Sequence, residues 1–504
     1  MKIDIGFNIV AAVWVAVVTL IFTPVYVHYL GLEAYGLIGL LATLQVSLGV
    51  LDLGLSQVLA RELARYTGGG LSRQSVLNLI RSVEMVAFFI AAAIAIVMWI
   101  SSGWIGRSWL QVGNNPATDL IHAIAIMGIV IALRLVEGLY RGAVMGLHRQ
   151  VQLNVITLTA VTLRACGAFL ILVFVTRSIA AFFAWQSLIS ALTIISLRWL
   201  MHASLDDGRA RGGFSTLELK RISRFALGVT SITLLGVALT QVDKLLLSRL
   251  LLLKDYGEYI LAVTLAAAPL SLAGPITQAA QPRFARAVAA QDELTLAHLF
   301  HGSAQFLSVI VGSAAVVIMC FSHEVLVLWL HNPALANRLA PLVRVLALGS
   351  LLNGLVWLPY GLQLAYGWTK LGARINLIAV ATLIPSLLIV VPKYGAIGAA
   401  WLWVVLNIGY CTVSLHFMFL RILPEHKIRW YVFDAGMPLL AAAVVALALK
   451  GAFPGDGSFL LRLLFLGLVS VTAVCVAAAA ASVIRREALA FGLMLLRLRR
   501  QSVG

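Results

Sequence analysis

The sequence predicts an all-α integral membrane protein with about 14 transmembrane helices, and three observations support that class. Hydrophobic residues make up 61% of the 504 residues, charged residues make up 11%, and the mean hydropathy is +0.99. A soluble domain of this size would need far more polar surface. A membrane-spanning helix needs about 20 apolar residues, and about fourteen such stretches follow one another along the chain.

Three sequence markers recur at one spacing and predict an internal duplication. The residue pairs are Tyr35-Gly36 with Tyr256-Gly257, Ala64-Arg65 with Ala285-Arg286, and Gly146 with Gly367, all 221 positions apart. Six spans return the chain to its starting side, so two copies of six keep the same orientation. Such copies are related by a pseudo-two-fold axis along the membrane normal.

The repeat predicts the domain organisation. We expect an N-terminal six-helix bundle, a cytoplasmic linker, a C-terminal six-helix bundle, and two additional helices with a basic tail. The corresponding ranges are 1–201, 202–224, 225–420 and 421–504.

The positive charge of the chain predicts its orientation. There are 37 lysines and arginines against 20 acids, and most of the basic residues fall on segments that share one side with both termini. The positive-inside rule then places both termini in the cytoplasm. We expect a multi-pass protein of the bacterial inner (plasma) membrane with a retained first helix. Because this topological bias accounts for much of the excess positive charge, we expect no nucleic-acid partner.

Charged residues lie half-way along the fourth and fifth predicted spans. Arg134, Glu137 and Arg141 form one stripe at helical spacing, and Arg164 lies near the middle of the next span. An arginine at bilayer depth costs roughly 2.5 to 3.5 kcal/mol on insertion scales, so these side chains should avoid lipid. They predict a site that attracts anions. Beside the stripe, Gly138, Gly142 and Gly146 should let a neighbouring backbone approach closely.

The arginines also have a structural interpretation, which stays open here. Arg134 can pair with Glu137 on its own helix, and Arg164 can pair with Asp52 or Glu84. In the functional interpretation Arg134, Arg164, Arg141 and Lys244 bind substrate, while acids supply counter-charge or exchange a coupling ion. Those acids are Asp52, Glu84, Glu137 and Asp243.

Two further groups of residues have alternative interpretations. The adjacent Asp243 and Lys244 line a cavity or neutralise each other near the headgroups. His298 and His301 have the spacing of a metal pair, but with no third ligand nearby we interpret them as surface histidines. We therefore predict no metal site and no cofactor, and coupling to a proton or a sodium gradient is left open.

The order of several short motifs resembles the polysaccharide transporter family. The opening carries Asn8, Tyr29-Leu30-Gly31, Tyr35-Gly36 and Leu51-Asp52-Leu53-Gly54-Leu55, and later stretches agree at Pro359-Tyr360-Gly361, Tyr366-Gly367-Trp368-Thr369-Lys370 and Tyr394-Gly395-Ala396-Ile397-Gly398-Ala399-Ala400. That family includes Wzx-type flippases and belongs to the multidrug, oligosaccharidyl-lipid and polysaccharide exporter superfamily. One departure is Ser248-Arg249-Leu250-Leu251, where the family commonly has a glycine.

The resemblance implies a function. It implies a flippase that moves a polyprenyl-diphosphate-linked oligosaccharide to the outer leaflet by alternating access, for exopolysaccharide or O-antigen synthesis, beside polysaccharide polymerase machinery. Arginine forks suit the two phosphates.

Two rival classes are a multidrug cation antiporter and a membrane-embedded glycan polymerase or ligase. The first should have an acidic cavity, and the second needs catalytic acids in a long outer loop. Neither feature is evident, and Gly68-Gly69-Gly70 is not followed by the lysine of a nucleotide-binding loop. We therefore expect a transporter and not an enzyme.

Overall fold

A computed structural model describes residues 2–112, 117–205 and 212–486, and this part of the chain is almost entirely helical. Parts of the predicted linker (206–211) and of the basic tail (487–504) lie outside the described residues. The eighteen α-helices, numbered α1 to α18 in order, are Lys2–Leu48, Leu55–Thr67, Arg73–Trp104, Ala117–Gly146, Gln150–Phe174, Ile179–Ser204, Thr216–Leu250, Leu253–Ala266, Ala273–Ala289, Glu293–Leu307, Ser313–Cys320, Ser322–Leu330, Pro333–Ala365, Thr369–Gly409, Leu415–Phe419, Lys427–Arg429, Met437–Lys450 and Phe459–Ala480.

The predicted all-α membrane fold is confirmed. Within the described ranges, 11 helices are long and apolar enough to cross a membrane, or 12 if the bent pair α8 and α9 forms one span. Two of the 11 contain a non-helical glycine, Gly31 in α1 and Gly395 in α14, both at positive φ. These long segments, Val13–Asp52 and Thr369–Phe419, cover 40 and 51 residues, about twice the length that one crossing needs. The count of 14 stays a prediction.

The chain forms two compact units. The first comprises Met1–Leu261 and Leu387–Pro392, and the second comprises Ala262–Ser386 and Lys393–Gly504. The bundle boundaries predicted from the repeat remain a prediction.

Two residues of the repeat contact each other inside the first unit. A Cβ atom added to Gly36 would lie 2.7 Å from the carbonyl oxygen of Leu253 and 3.3 Å from the nitrogen of Gly257. A Cβ atom on Gly257 would lie 2.1 Å from the carbonyl oxygen of Leu32. Since Leu32 and Leu253 are also 221 residues apart, the two contacts are equivalent. Helices α1 and α8 thus pack against each other through equivalent glycines, and the duplication itself remains a prediction.

The helix-ending turns correct one of the repeat markers. After α4, His148 has φ of 58° and its N–H donates to the carbonyl of Met145 at 3.1 Å; after α13, Gly367 has φ of 66° and donates to Leu364 at 2.9 Å. The matching residue of Gly367 is therefore His148 and not Gly146, so this part of the prediction is wrong by two residues. A histidine fills a left-handed position that the sequence comparison assigned to glycine.

The second span is interrupted near its middle. A short 3₁₀ turn, Gly49–Asp52, is followed by Leu53 and Gly54, both left-handed, before α2 begins at Leu55. In the second unit the 3₁₀ turn Ala268–Leu272 similarly separates α8 from α9. A broken helix leaves backbone groups without intrahelical partners, which at membrane depth is tolerated only against protein or water. The first of these breaks forms one wall of the candidate site.

Candidate functional site

The charged residues of α4 and α5 converge on one buried carboxylate. Glu137 is 1% exposed, and three guanidinium groups surround it. Arg164 Nη2 lies 2.7 Å from Oε2, Arg141 Nε lies 3.3 Å from Oε1, and Arg134 Nε lies 4.0 Å from Oε2. The predicted stripe of Arg134, Glu137 and Arg141 therefore forms, and we call these four residues the Glu137 cluster.

Arg164 is the most enclosed cation of the cluster. It is 5% exposed, and besides Glu137 its Nη2 reaches the hydroxyl of Ser190 on α6 at 3.3 Å. The structural interpretation paired Arg164 with Asp52 or Glu84. That pairing is wrong, because the carboxylate that Arg164 contacts belongs to Glu137. Arg164 is thus the buried counter-ion of Glu137, joining α4, α5 and α6.

Arg134 faces a polar cavity at the break in the second span. The cavity holds about 170 Å³, and its lining comprises Gln45, Leu48, Gly49, Asp52, Ser56, Ile131, Arg134, Leu135 and Gly138. The Nε atom of Arg134 has no hydrogen-bond partner among the described residues. On the opposite wall, Asp52 Oδ2 accepts from the N–H and hydroxyl of Ser56 at 3.1 and 2.6 Å, while Oδ1 is buried without a partner.

Small residues set the distance between α2 and α4 across this cavity. A Cβ atom on Gly142 would lie 2.3 Å from the carbonyl oxygen of Ser56, and one on Gly146 would lie 2.3 Å from that of Ala60. Gly138 is less crowded, with the Ser56 hydroxyl oxygen at 3.9 Å. The predicted close approach of a neighbouring backbone is confirmed, and it holds Asp52 and Arg134 on facing walls.

Glu84 belongs to a separate cluster that ties three helices together. The hydroxyl of Tyr140 donates to its Oε1 at 2.6 Å, and Arg198 and Arg81 lie 3.6 and 3.7 Å from its carboxylate oxygens. Glu84 is 3% exposed. Its carboxylate therefore balances the positive charges of Arg81 on α3 and Arg198 on α6, and it does not contact Arg164.

Asp243 and Lys244 neutralise each other in α7. Lys244 Nζ lies 3.2 Å from both carboxylate oxygens and donates to the carbonyl of Thr240 at 2.7 Å. The hydroxyl of Tyr259 also donates to Asp243 at 3.4 Å. Of the two interpretations left open, the contacts are those of a mutually neutralising pair.

The last turn of α7, where the sequence departs from the resembled family, is held by side chains of the first unit. The indole N–H of Trp109 donates to the hydroxyl of Ser248 at 3.1 Å, and Gln111 donates to the carbonyl of Arg249 at 3.0 Å. These contacts hold the end of α7 in a sequence that lacks the glycine.

The histidines of α10 differ from the prediction. His298 is exposed, but His301 is 1% exposed and hydrogen-bonds to Asp434 and His426. The prediction of two surface histidines is therefore wrong for His301. Its partners lie more than 120 residues away, so spacing along α10 could not reveal them. Among the described residues, no group of three or more potential metal ligands has the arrangement of a metal site.

The net charge of the Glu137 cluster determines what it can bind. Three guanidinium groups face one carboxylate, so the cluster carries a surplus of two positive charges, one of them on Arg134 at the cavity. In a low-dielectric setting such a surplus attracts anions. Ligand sites for whole small molecules usually occupy about 300 to 1,000 Å³, so a cavity of about 170 Å³ suits a phosphate-sized group or a few waters.

The structure is similar to solved transporters that share its fold. The lipid II flippase MurJ, in an inward closed conformation, aligns with a TM-score of 0.66 at 14% identity, covering 94% of this chain and 97% of that one. An inward-facing multidrug resistance MATE family transporter of the MOP superfamily aligns with a TM-score of 0.63 at 14% identity, covering 84% and 96%. The chain therefore has the fold of MOP superfamily transporters.

Sequence comparison identifies a family. A protein of Shigella flexneri named "Putative O-antigen transporter" is 22% identical over 376 residues, which are 74% of this chain and 87% of that protein. The names of the Shigella flexneri protein and of the two structural neighbours above describe transporters and a flippase, not enzymes. Residues 3–288 match the family described as polysaccharide biosynthesis protein. Because that match covers more than half of the 504 residues, the chain belongs to the polysaccharide biosynthesis protein family.

Proposed function

We propose that this protein is a flippase that moves a polyprenyl-diphosphate-linked oligosaccharide from the cytoplasmic to the outer leaflet by alternating access. The observation that carries the proposal is Arg134. It is a guanidinium half-way along a candidate membrane span that lines a polar cavity, and among the described residues its ion-pair contact is with Glu137, at 4.0 Å. A diphosphate supplies the acceptor oxygens that such a group needs.

Each part of the Glu137 cluster has a role in this proposal. Arg134 contacts the diphosphate, Arg141 adds positive charge on the same stripe, and Glu137 with Arg164 holds Arg134 in place. The small cavity receives the anionic linkage, not the whole glycan. The identity of the sugar would then depend on surfaces outside this cavity.

The relatives favour transport over synthesis. The named relatives are an O-antigen transporter, a lipid II flippase and a multidrug transporter, which disfavours a polymerase or ligase. The surplus of positive charge disfavours a cation exporter of the same superfamily. Location in the inner membrane with both termini in the cytoplasm, and coupling to a proton or sodium gradient through Asp52, belong to the same proposal.

The test is a deletion of the gene in its bacterial host. We expect lipid-linked oligosaccharide to accumulate in the inner leaflet, with a head group whose mass includes the diphosphate. If no lipid-linked intermediate accumulates and the surface glycan is merely shortened, the protein is a polymerase. If export of cationic drugs is lost instead, it is an antiporter.

A further inference from the structure

Polar side chains meet in the interior of the second unit, where α10 contacts the segments on either side of the last two helices. His301 and Gln305 lie on α10, Asp434 on the π-helical turn Trp430–Gly436, and His426 just before it. His301, Gln305 and Asp434 are 1%, 0% and 0% exposed. We call these four residues the histidine cluster.

Hydrogen bonds connect the histidine cluster in a line from the interior outward. Asp434 Oδ2 contacts His301 Nδ1, and Oδ1 accepts from the side-chain amide of Gln305 at 2.9 Å. The other ring nitrogen of His301, Nε2, lies 2.7 Å from Nδ1 of His426. His426 is only partly buried. A continuous path therefore runs from a fully buried carboxylate through two imidazoles toward the surface.

This line keeps its hydrogen bonds in two protonation states. With His301 neutral, its Nδ1–H donates to Asp434, and its Nε2 accepts a hydrogen bond from the Nδ1–H of His426. With one proton added, His301 carries a proton on both ring nitrogens, and its Nε2–H donates to Nδ1 of His426. His426 is then neutral, with its proton on Nε2. The added proton comes from water at His426, and the net charge of Asp434, His301 and His426 changes from −1 to zero.

Burial favours the state with the added proton, in which Asp434, His301 and His426 together have no net charge. An isolated carboxylate is costly in a low-dielectric interior unless it is paired. Among the described residues no lysine or arginine forms an ion pair with Asp434, and His301 is the group that can compensate its charge, when it is protonated. The charged groups around His426 are Arg429 and Glu425, besides His301 and Asp434 themselves. The neighbouring Lys427 lies 2.8 Å from Nδ1 of His416 instead.

We propose that Asp434, His301 and His426 form a buried proton-binding site that exchanges with water through His426. Through Gln305, the histidine cluster also contacts the chain just after α18. The carbonyl oxygen of the Gln305 side chain accepts from the N–H of Val483 at 2.8 Å, and its amide lies 3.3 Å from the Ser482 hydroxyl. Because Gln305 shares Asp434 with His301, binding of a proton changes how tightly α10 holds the chain after α18. The inference is independent of the transported cargo.

The experiment uses the full-length protein in lipid nanodiscs. Thermal unfolding and deuterium uptake of the peptide spanning 481–486 are measured across pH of about 5 to 8, the range in which histidine titrates. The variants are His301→Gln and Asp434→Asn, and His298→Gln on the exposed side of α10 is the matched control. We expect wild type and the control to show the same pH dependence, and both cluster variants to lose it.

Two results would overturn the proposal. One is a His301→Gln variant that keeps the wild-type pH dependence. The other is a wild-type response that a metal chelator removes, since that would identify the ligand as a metal ion. Should the variants not fold, ¹⁵N-histidine spectra of the wild type decide the matter. We expect two histidine signals that titrate together, and the absence of such a pair contradicts the site.

Discussion

Arg164 and Glu137, on neighbouring helices, form a buried ion pair with 2.7 Å between Nη2 and Oε2. Removing one member of a buried pair leaves an uncompensated charge and typically costs about 3 to 5 kcal/mol, whereas removing both members together costs far less. Glu137 also faces Arg134 and Arg141, so its loss leaves three like charges in one place.

We therefore expect Glu137→Gln and Arg164→Met each to lower the unfolding temperature of the purified protein markedly. The double variant should be less destabilised than the sum of the two single changes. A thermodynamic cycle in detergent or nanodiscs measures this coupling. Strict additivity would show that the pair contributes nothing through its contact.

Arg134 should matter for export more than for stability, because it faces the cavity and is the most weakly attached member of its cluster. In a deletion strain we expect Arg134→Ala to leave inner-leaflet lipid-linked oligosaccharide unexported at normal protein abundance. Arg134→Lys should restore export in part, since lysine keeps the charge but not the fork.

Arg283→Ala, an exposed change on α9, is the matched control for that experiment and should export normally. Normal export by Arg134→Ala would remove Arg134 from substrate binding.

Asp52 is the acid best placed to exchange an ion, since it lines the cavity and its buried Oδ1 has no hydrogen-bond partner among the described residues. We expect Asp52→Asn to reduce export less than Arg134→Ala does and to change its dependence on external pH. The measurement is export rate in vesicles with and without an imposed proton gradient. An Asn variant with the wild-type rate and pH profile would rule out a role in proton coupling.

The glycines of α4 provide a steric test. Gly142→Ala places a Cβ atom 2.3 Å from a backbone oxygen, so α2 and α4 must separate; Gly138→Ala meets its nearest atom at 3.9 Å. Overpacking of this kind typically costs about 1 to 3 kcal/mol. We expect Gly142→Ala to lower the unfolding temperature by several degrees and Gly138→Ala to have little effect. Equal behaviour of the two variants would contradict the packing described for α2 and α4.

Local sequence patterns predicted the helices and the stripe on α4 because both depend on residues close together in the chain. Arg134, Glu137 and Arg141 follow one helical period, so their common face could be derived without a structure. The partner of Arg164 could not, because Asp52, Glu84 and Glu137 were all acids within reach of its span and only packing selects among them.

Contacts distant in sequence were the ones that the prediction missed. His301, His426 and Asp434 are separated by up to 133 residues, and no periodicity connects them. The turn at His148 was missed for a different reason. A left-handed position favours glycine but does not require it, so a search for repeated glycines aligned the wrong residue.

The contact of Gly36 with Gly257 is self-complementary. Each glycine occupies the position of the other under the 221-residue shift, and each faces the carbonyl of an equivalent leucine. A chain ending after one copy would therefore present to its own twin the same surface that α1 and α8 share today. Two such chains could then pair at this point through the same two glycine contacts, without any change of residue.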